Sequence, residues 1–313
     1  MPPIYVGVTD PKWFTFLRDR SNNSEGVNFW QPSGKVVKTL SKGAMWVFKL
    51  KAPYNKVGGF GIFNSSHERM PAGLAWDSFQ QNNGVETEER FLRTMWSYRA
   101  TTHGTFRWAE AASLPIGCQL ITGAVFFRDE EMFEVPGGWA KSIVTGKYVV
   151  ESDPNFEELQ RLCMERAARS TSLPLTVGDS ARYGSPYLIQ PRAGQGVFRL
   201  SVIDAYERQC AVTREHSLPV LEAAHIQPYA NGGSHNTSNG LLLRTDIHRL
   251  FDRGYVTIDE NLKFKVSSRL REEFNNGRHY YDLEGRDLVI PDAPSDRPDP
   301  VALEFHRSQV FLD

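Results

Sequence analysis

The stretch that organises the chain runs from Leu221 to Asp252, LEAAHIQPYANGGSHNTSNGLLLRTDIHRLFD. It sets His225, Asn239 and His248 fourteen and nine residues apart, with a loop rich in Gly, Asn and Ser between the first two. An apolar run, Leu241 to Leu243, follows Asn239, and a segment with helical spacing carries His248. An imidazole that titrates near neutrality can take a proton from water. A second imidazole can ligate a metal, and an amide between them can orient the base. Metal-assisted phosphodiester hydrolysis needs these three parts on one compact unit.

Outward from this stretch, Val197 to Arg208 places Phe198, Val202, Ile203 and Tyr206 on one helical face. On the other side, Tyr255–Ile258 and Leu262–Val266 alternate like a hairpin around residues 259–261. LEGRDLVIP (283–291) reads as a short strand, and Pro300 to Phe311 as a closing helix. Upstream, residues 170–196 lose all periodicity among Pro, Gly, Ser and Arg, and read as a linker. The chain of 313 residues is long enough for two ordinary domains. They are expected at 1–169 and 197–313.

The first of these reads as mostly β. Residues 4–8, 45–51, 58–63 and 119–127 are strand candidates, rich in β-branched and aromatic side chains. Residues 12–18, 87–99 and 154–169 have helical patterns; in the second, Thr87 can cap while Phe91, Met95 and Tyr98 share a face. The class is therefore α+β.

Composition sets limits. Hydrophobic content of 40% and aromatic content of 12% fit a soluble globular protein. No run of about 18 apolar residues offers a membrane span, and the first residues lack the pattern of a secretory signal. Cys118, Cys163 and Cys210 are widely spaced and odd in number, which suits neither a disulfide framework nor a CxxC zinc pair and points to a reducing cytosol. With 36 basic and 37 acidic side chains the net charge is −1, so contact with phosphates must come from local patches.

CAVT (210–213), LEAAHIQP (221–228) and SNGLLLRTDIHRLFD (238–252) resemble the HNH endonuclease superfamily, in the subgroup with an Ala-His-Ile first motif. The resemblance runs through the last third of the chain. It implies a ββα-metal fold with one divalent metal (Mg2+ or Mn2+), His225 as general base, His248 as metal ligand, and products with 5′ phosphate and 3′ hydroxyl ends. Asn239 is expected on the returning strand, holding the imidazole in one tautomer through a side-chain hydrogen bond. Thr245 is expected to cap the helix, and Arg244 and Arg249 to contact backbone phosphates.

One departure stands out. Many members carry a His or Asp ligand directly before the base, where this chain has Ala224. Asp252, one helical turn from His248, is the best substitute. Glu222 is the second, although it is out of phase with His225 on an ideal strand. Asp246 is the third, against an ordinary role at a helix N-terminus. Taken singly, each piece has an ordinary reading: a lone histidine is more often a surface or core residue, and Asn-Gly is a common turn. The remaining histidines, His67, His103, His216, His235, His279 and His306, form no comparable constellation and read as ordinary residues.

All seven tryptophans lie between Trp13 and Trp139. Trp30 in NFWQPSG (28–34) and Trp76 in AGLAWDSFQQNNG (72–84) stand in polar, turn-like settings, whereas Trp46 and Trp96 read as core. An aromatic ring beside amides such as Asn28 suits a pocket for a flipped base. The strands MWVFKLK and GGFGIF resemble PUA-like domains, the group of the EVE, ASCH and SRA families. That pairing with an HNH unit occurs in bacterial modification-dependent restriction enzymes, which cut DNA bearing methylated or hydroxymethylated cytosine. The expectation is thus a two-domain endonuclease acting on modified double-stranded DNA, with a homodimer supplying the two nuclease units that cuts in both strands need. Two alternatives stay open: a nuclease whose first domain senses RNA, protein or unmodified DNA, and a binding module that has lost metal through Ala224.

Overall fold

A computed structural model describes residues 2–20, 26–99, 105–170 and 194–313. The chain divides into two compact units, Met1–Gly196 and Val197–Asp313. Residues 171–193 of the expected linker, and His103, lie outside the described residues.

The first unit is built on a six-stranded mixed sheet. Its strands are β1 (Ile4–Thr9), β2 (Val27–Gln31), β3 (Met45–Leu50), β4 (Val57–Pro71), β5 (Pro115–Phe126) and β6 (Gly146–Val149), in the order β2-β5-β4-β3-β1-β6. Only β1 and β3 run parallel. The central strand β3 is buried along its whole length, as its run of large apolar residues requires. Trp46, Phe48 and Phe29 meet at its face, with Phe48 stacked on Phe126 at 5.5 Å. β4 extends well beyond the expected 58–63, because three register shifts against β5 carry it through the polar stretch up to Pro71. Gly59 permits the close pairing: a Cβ there would lie 2.2 Å from the Val125 carbonyl oxygen.

Among the described residues this unit also has the helices α1 (Pro11–Arg18), α2 (Ala72–Phe79), α3 (Glu88–Ser97), α4 (Trp108–Ala112) and α5 (Phe156–Ser170). α3 starts at the expected Thr87 cap and buries Phe91, Leu92, Met95 and Trp96. The stretch around Trp76, expected as turn-like, is instead α2 followed by a short turn at Gln80–Asn83. No helix among the described residues is long and apolar enough to cross a membrane.

The second unit opens with α6 (Gln195–Ala205), whose Phe198, Val202, Ile203 and Tyr206 neighbours are buried. Then come β7 (Leu221–His225), β8 (Gly240–Arg244) and α7 (Thr245–Asp252), two antiparallel strands and a helix. The hairpin β9 (Val256–Ile258) and β10 (Phe264–Val266) follows as expected. LEGRDLVIP forms no strand and contributes a single bridge, Lys263 with Asp287. The chain closes with the helix Pro300–Phe305, which widens into a π-turn at His306–Val310. The protein is α+β throughout. Its three cysteines are free and buried.

His306 locks the closing segment to α7. It is 2% exposed, stacks on Phe251 at 3.6 Å, and uses Nε2 on the Phe251 carbonyl and Nδ1 on the Thr257 hydroxyl. Burial pushes its pKa down to about 4 from 6.5. The folded state therefore keeps His306 neutral while the unfolded chain takes up a proton as pH falls below 6.5. The stability this lends is complete above that pH and is lost as pH falls toward about 4. The shift corresponds to about 3 kcal/mol. Urea unfolding followed from pH 7 to pH 4 should show a loss of at least that order, and His306→Gln should remove the His306 share of the dependence.

Candidate active site

β7 and β8 pair with Ala224 opposite Leu241 and His225 opposite Gly240. Leu241, Leu242 and Leu243 are buried, which anchors the pair to the core. Asn239–Gly240 is not a hairpin turn. Gly240 is extended and begins β8, and a Cβ there would fall 2.4 Å from Val202 Cγ2, so the glycine lets α6 pack on the strand.

His225 ends β7 and is half-buried. Its ring stacks on Phe198 at 3.9 Å, inclined by 14°. Its Nε2 lies 3.0 Å from Nδ1 of His235, so one of the two donates to the other. His235 in turn stacks on Tyr229 at 4.7 Å. Burial pushes the His225 pKa down to about 4, and the charges of His235 and His248 add to the shift. At neutral pH the ring is neutral, and when its Nε2–H donates to His235 Nδ1 the lone pair left free is on Nδ1.

Asn239 is placed differently from expectation. It closes a short turn before β8, 4% exposed, and makes no bond to the His225 ring. Its Oδ1 accepts from Gln227 N at 2.9 Å, while Nδ2 donates to the carbonyls of Gln227 and Ser234 at 3.0 and 2.9 Å. The amide therefore fixes the backbone just after His225 and just before His235. Gly233 belongs to this closure, since a Cβ there would be 1.9 Å from the Gln227 carbonyl oxygen.

His248 projects from α7 between two carboxylates. Glu222 Oε2 is 2.7 Å from its Nδ1, and Asp252 Oδ2 is 3.3 Å from its Nε2. Glu222 thus reaches the helix and not His225. Burial raises the Asp252 pKa, His248 opposes the rise and Glu222 adds to it. Among the described residues no three His, Cys, Asp or Glu side chains converge on one metal-sized point. Two donors do suit one ion. Adjacent ligands with bonds of about 2.1 Å stand roughly 3 Å apart on an octahedral cation, and Nε2 and Oδ2 are 3.3 Å apart. Glu222 on Nδ1 has the position of the carboxylate that orients a ligating imidazole.

The flanking charges divide. Arg244 forms a two-point pair with Asp246 at 2.9 and 2.5 Å, and Tyr280 donates to the same carboxylate. This pairing holds the Asp246 pKa below the usual range and removes Asp246 from the neighbourhood of His248. Arg249 is exposed and forms no hydrogen bond or ion pair among the described residues. Thr245 is the first residue of α7, not its cap; its hydroxyl donates to the Val220 carbonyl.

In the first unit, Trp30 lines two cavities, of about 410 and 310 Å3, that also share Asp10, Trp13 and Tyr98. Trp30 and Tyr98 are 6.4 Å apart, and the Trp30 Nε1 donates to the Asn83 carbonyl. The other two residues expected in this pocket do not line it. Trp76 packs on Phe91 at 5.9 Å. Asn28 is fully buried beneath, donating to Asn83 Oδ1 at 2.9 Å. Sequence reasoning missed Asp10, Tyr98 and, in the second unit, His235; only the fold brings them alongside their partners.

Residues 210–259 match the HNH endonuclease family. The HNH segment takes in β7, the loop, β8, α7 and β9, and the match does not extend to the rest of the chain. No curated protein matches the chain. Among solved structures, it is similar to ASCH from Zymomonas mobilis, with 9% identity and a TM-score of 0.33 over 52% of this chain and 94% of that one. It is also similar to the modification-dependent TagI restriction endonuclease, with 16% identity and a TM-score of 0.27 over 85% of this chain and 61% of that one.

Removing the Asn239 amide should loosen the loop as a whole. Asn239→Ala leaves one N–H and two carbonyls without partners, at a cost of about 2–3 kcal/mol. Hydrogen exchange should rise across residues 227–236, with little change in β9 and β10.

Proposed function

We propose that the protein is a DNA endonuclease that hydrolyses phosphodiester bonds at the HNH segment and selects its substrate through the first unit. The observation that carries this reading is the His225 ring. It is neutral at working pH, with Nε2 engaged by His235 and Nδ1 without a hydrogen-bond partner among the described residues. Nδ1 is then the atom that takes the proton from the attacking water. A pKa of about 4 is low for a base, but an anionic phosphate beside the ring raises it toward working pH.

A divalent cation, Mg2+ or Mn2+, would be held by His248 Nε2 and Asp252, with Glu222 keeping the His248 ring in place. When bound it supplies charge stabilisation at the scissile phosphate and the leaving 3′ oxygen. Asn239 positions both His225 and His235 through the loop backbone, and Arg249 is the cation left to meet a backbone phosphate. Arg244 serves the fold through Asp246 first. The Trp30 cavity, with Tyr98 and Asp10, is our candidate for a flipped base, and a modified cytosine, 5-methyl or 5-hydroxymethyl, is the base we propose. Two copies on one duplex would account for cuts in both strands.

Plasmids bearing no modification, 5-methylcytosine, 5-hydroxymethylcytosine or its glucosylated form, incubated with Mg2+ or Mn2+, test this directly. We expect preferential cutting of one modified form, a loss of about 10²–10⁴-fold in His225→Ala, and a comparable loss in Asp252→Asn. Equal cutting of unmodified plasmid would sink the modified-base reading. Binding without cutting under any condition would make the protein a binding module. Cutting that survives His225→Ala would reject the base assignment.

His235 gives a separate check. His235→Ala should lower kcat by roughly 10-fold or more with KM little changed, because the ring that orients the base is lost. His235→Asn, which returns an acceptor near the Nδ1 position, should recover part of the rate.

A further inference from the structure

The sheet of the first unit contains a buried lysine whose charge the fold leaves without a counter-ion. Lys49 lies on β3, 4% exposed, in register with Val8 of β1. An ammonium has three donors. Lys49 gives one to Asn55 Oδ1 at 3.3 Å, and its Nζ lies 5.3 Å from the centre of the Trp139 ring. No carboxylate pairs with it among the described residues, and burial lowers its pKa with no opposing acidic neighbour. A buried cation in this state costs stability unless an anion meets it. A methionine would fill the same space without that cost.

Lys49 opens into a cavity of about 650 Å3. Lys51 and Lys141 line the same cavity, against one carboxylate, Glu134. Trp139 forms a wall, held by its Nε1 bond to the Ile143 carbonyl and approached by Lys147 at 5.6 Å. The cavity also shares Val8, Lys51 and Val144 with the 410 Å3 cavity beside Trp30. A cationic chamber and an aromatic chamber therefore adjoin through Lys51. This is the arrangement a nucleotide requires: a ring to stack and a phosphate to neutralise.

We propose that the Lys49 cavity is a phosphate-binding slot for the nucleic-acid backbone, with Lys49 and Lys51 on the anion, next to the chamber that takes the base. The inference rests on the reading that the first unit takes nucleic acid, and nothing in the HNH segment is needed for it.

Fluorescence anisotropy of a duplex oligonucleotide carrying 5-hydroxymethylcytosine, measured at several KCl concentrations with the full-length protein, reads the slot. Each phosphate neutralised contributes about 0.9 to the slope of log K against log salt. Lys49→Met should bind more weakly with a slope smaller by about one, while Lys42→Ala, an exposed lysine outside both cavities, keeps the wild-type slope. An unchanged slope in Lys49→Met overturns the proposal. If Lys49→Met does not fold, Lys51→Ala and Lys141→Ala on the exposed rim are judged by the same criterion. A second arm uses inorganic phosphate and its 31P line width. Broadening by the wild type that Lys49→Met abolishes, where duplex also binds, supports the slot; the same broadening where no duplex binds leaves a free-phosphate site and overturns the backbone assignment together with the nucleic-acid reading. Absence of broadening together with absence of duplex binding rejects both. Phosphate binding without any slope change assigns the cavity to a free phosphate and overturns the backbone proposal.

Discussion

One amide holds the candidate site together. The Asn239 side chain bridges Gln227 and Ser234 with three hydrogen bonds, and those residues flank the two imidazoles that meet at 3.0 Å. Loops of ten residues are ordinarily mobile. Here the backbone bond from Gly233 N to the Pro228 carbonyl, and the lack of any room for a Cβ at Gly233, close the loop on itself. Phe198 then supports the His225 ring from below. The positions of both rings follow from a clamp that touches neither.

The electrostatics of the site have the same economy. Three imidazoles and two carboxylates come from one strand pair, its loop and one helix. The carboxylates are gathered on His248, not on His225. That segregation leaves His225 without an acidic partner, so burial, and the two imidazoles near it, keep it neutral. A carboxylate on His225 would have stabilised the charged ring and filled the position a water must occupy. The first unit has a comparable feature, a buried lysine that pairs with no carboxylate among the described residues. On the proposed readings, an anion from outside the protein completes the balance in both places.

Much of this was legible from local sequence. α3 could be read from Thr87, its acidic first turn and its apolar face, because every one of those signals acts within a few residues. The hairpin at 256–266 was legible for the same reason, and the ββα order around His225 through the resemblance to the HNH family. What the sequence hid were contacts set by tertiary packing. His235 sits among turn residues with nothing local to mark it, and its significance comes from a loop closure ten residues wide. Tyr98 replaces Trp76 beside Trp30 because the end of α3, and not α2, reaches the cavity. Lys49 lies in a strand that alternates in no visible way, since both faces of β3 are covered. The length of β4 escaped notice because register shifts, not alternation, sustain it.

Ala224 is best understood from the strand that carries it. It is fully buried opposite Leu241, so the chain spends that position on packing. A charged ligand there would have to be desolvated in the core, at a cost that pairing with a single cation does not always offset. On the proposed reading the lost ligand is replaced from α7, where His248 and Asp252 are one turn apart and share a face. A helix fixes that separation through its own backbone, whereas a strand end depends on its neighbours. Glu222, two positions before Ala224, then turns toward His248 and works at one remove. On that reading the strand gives up a ligand and keeps the residue that would orient one.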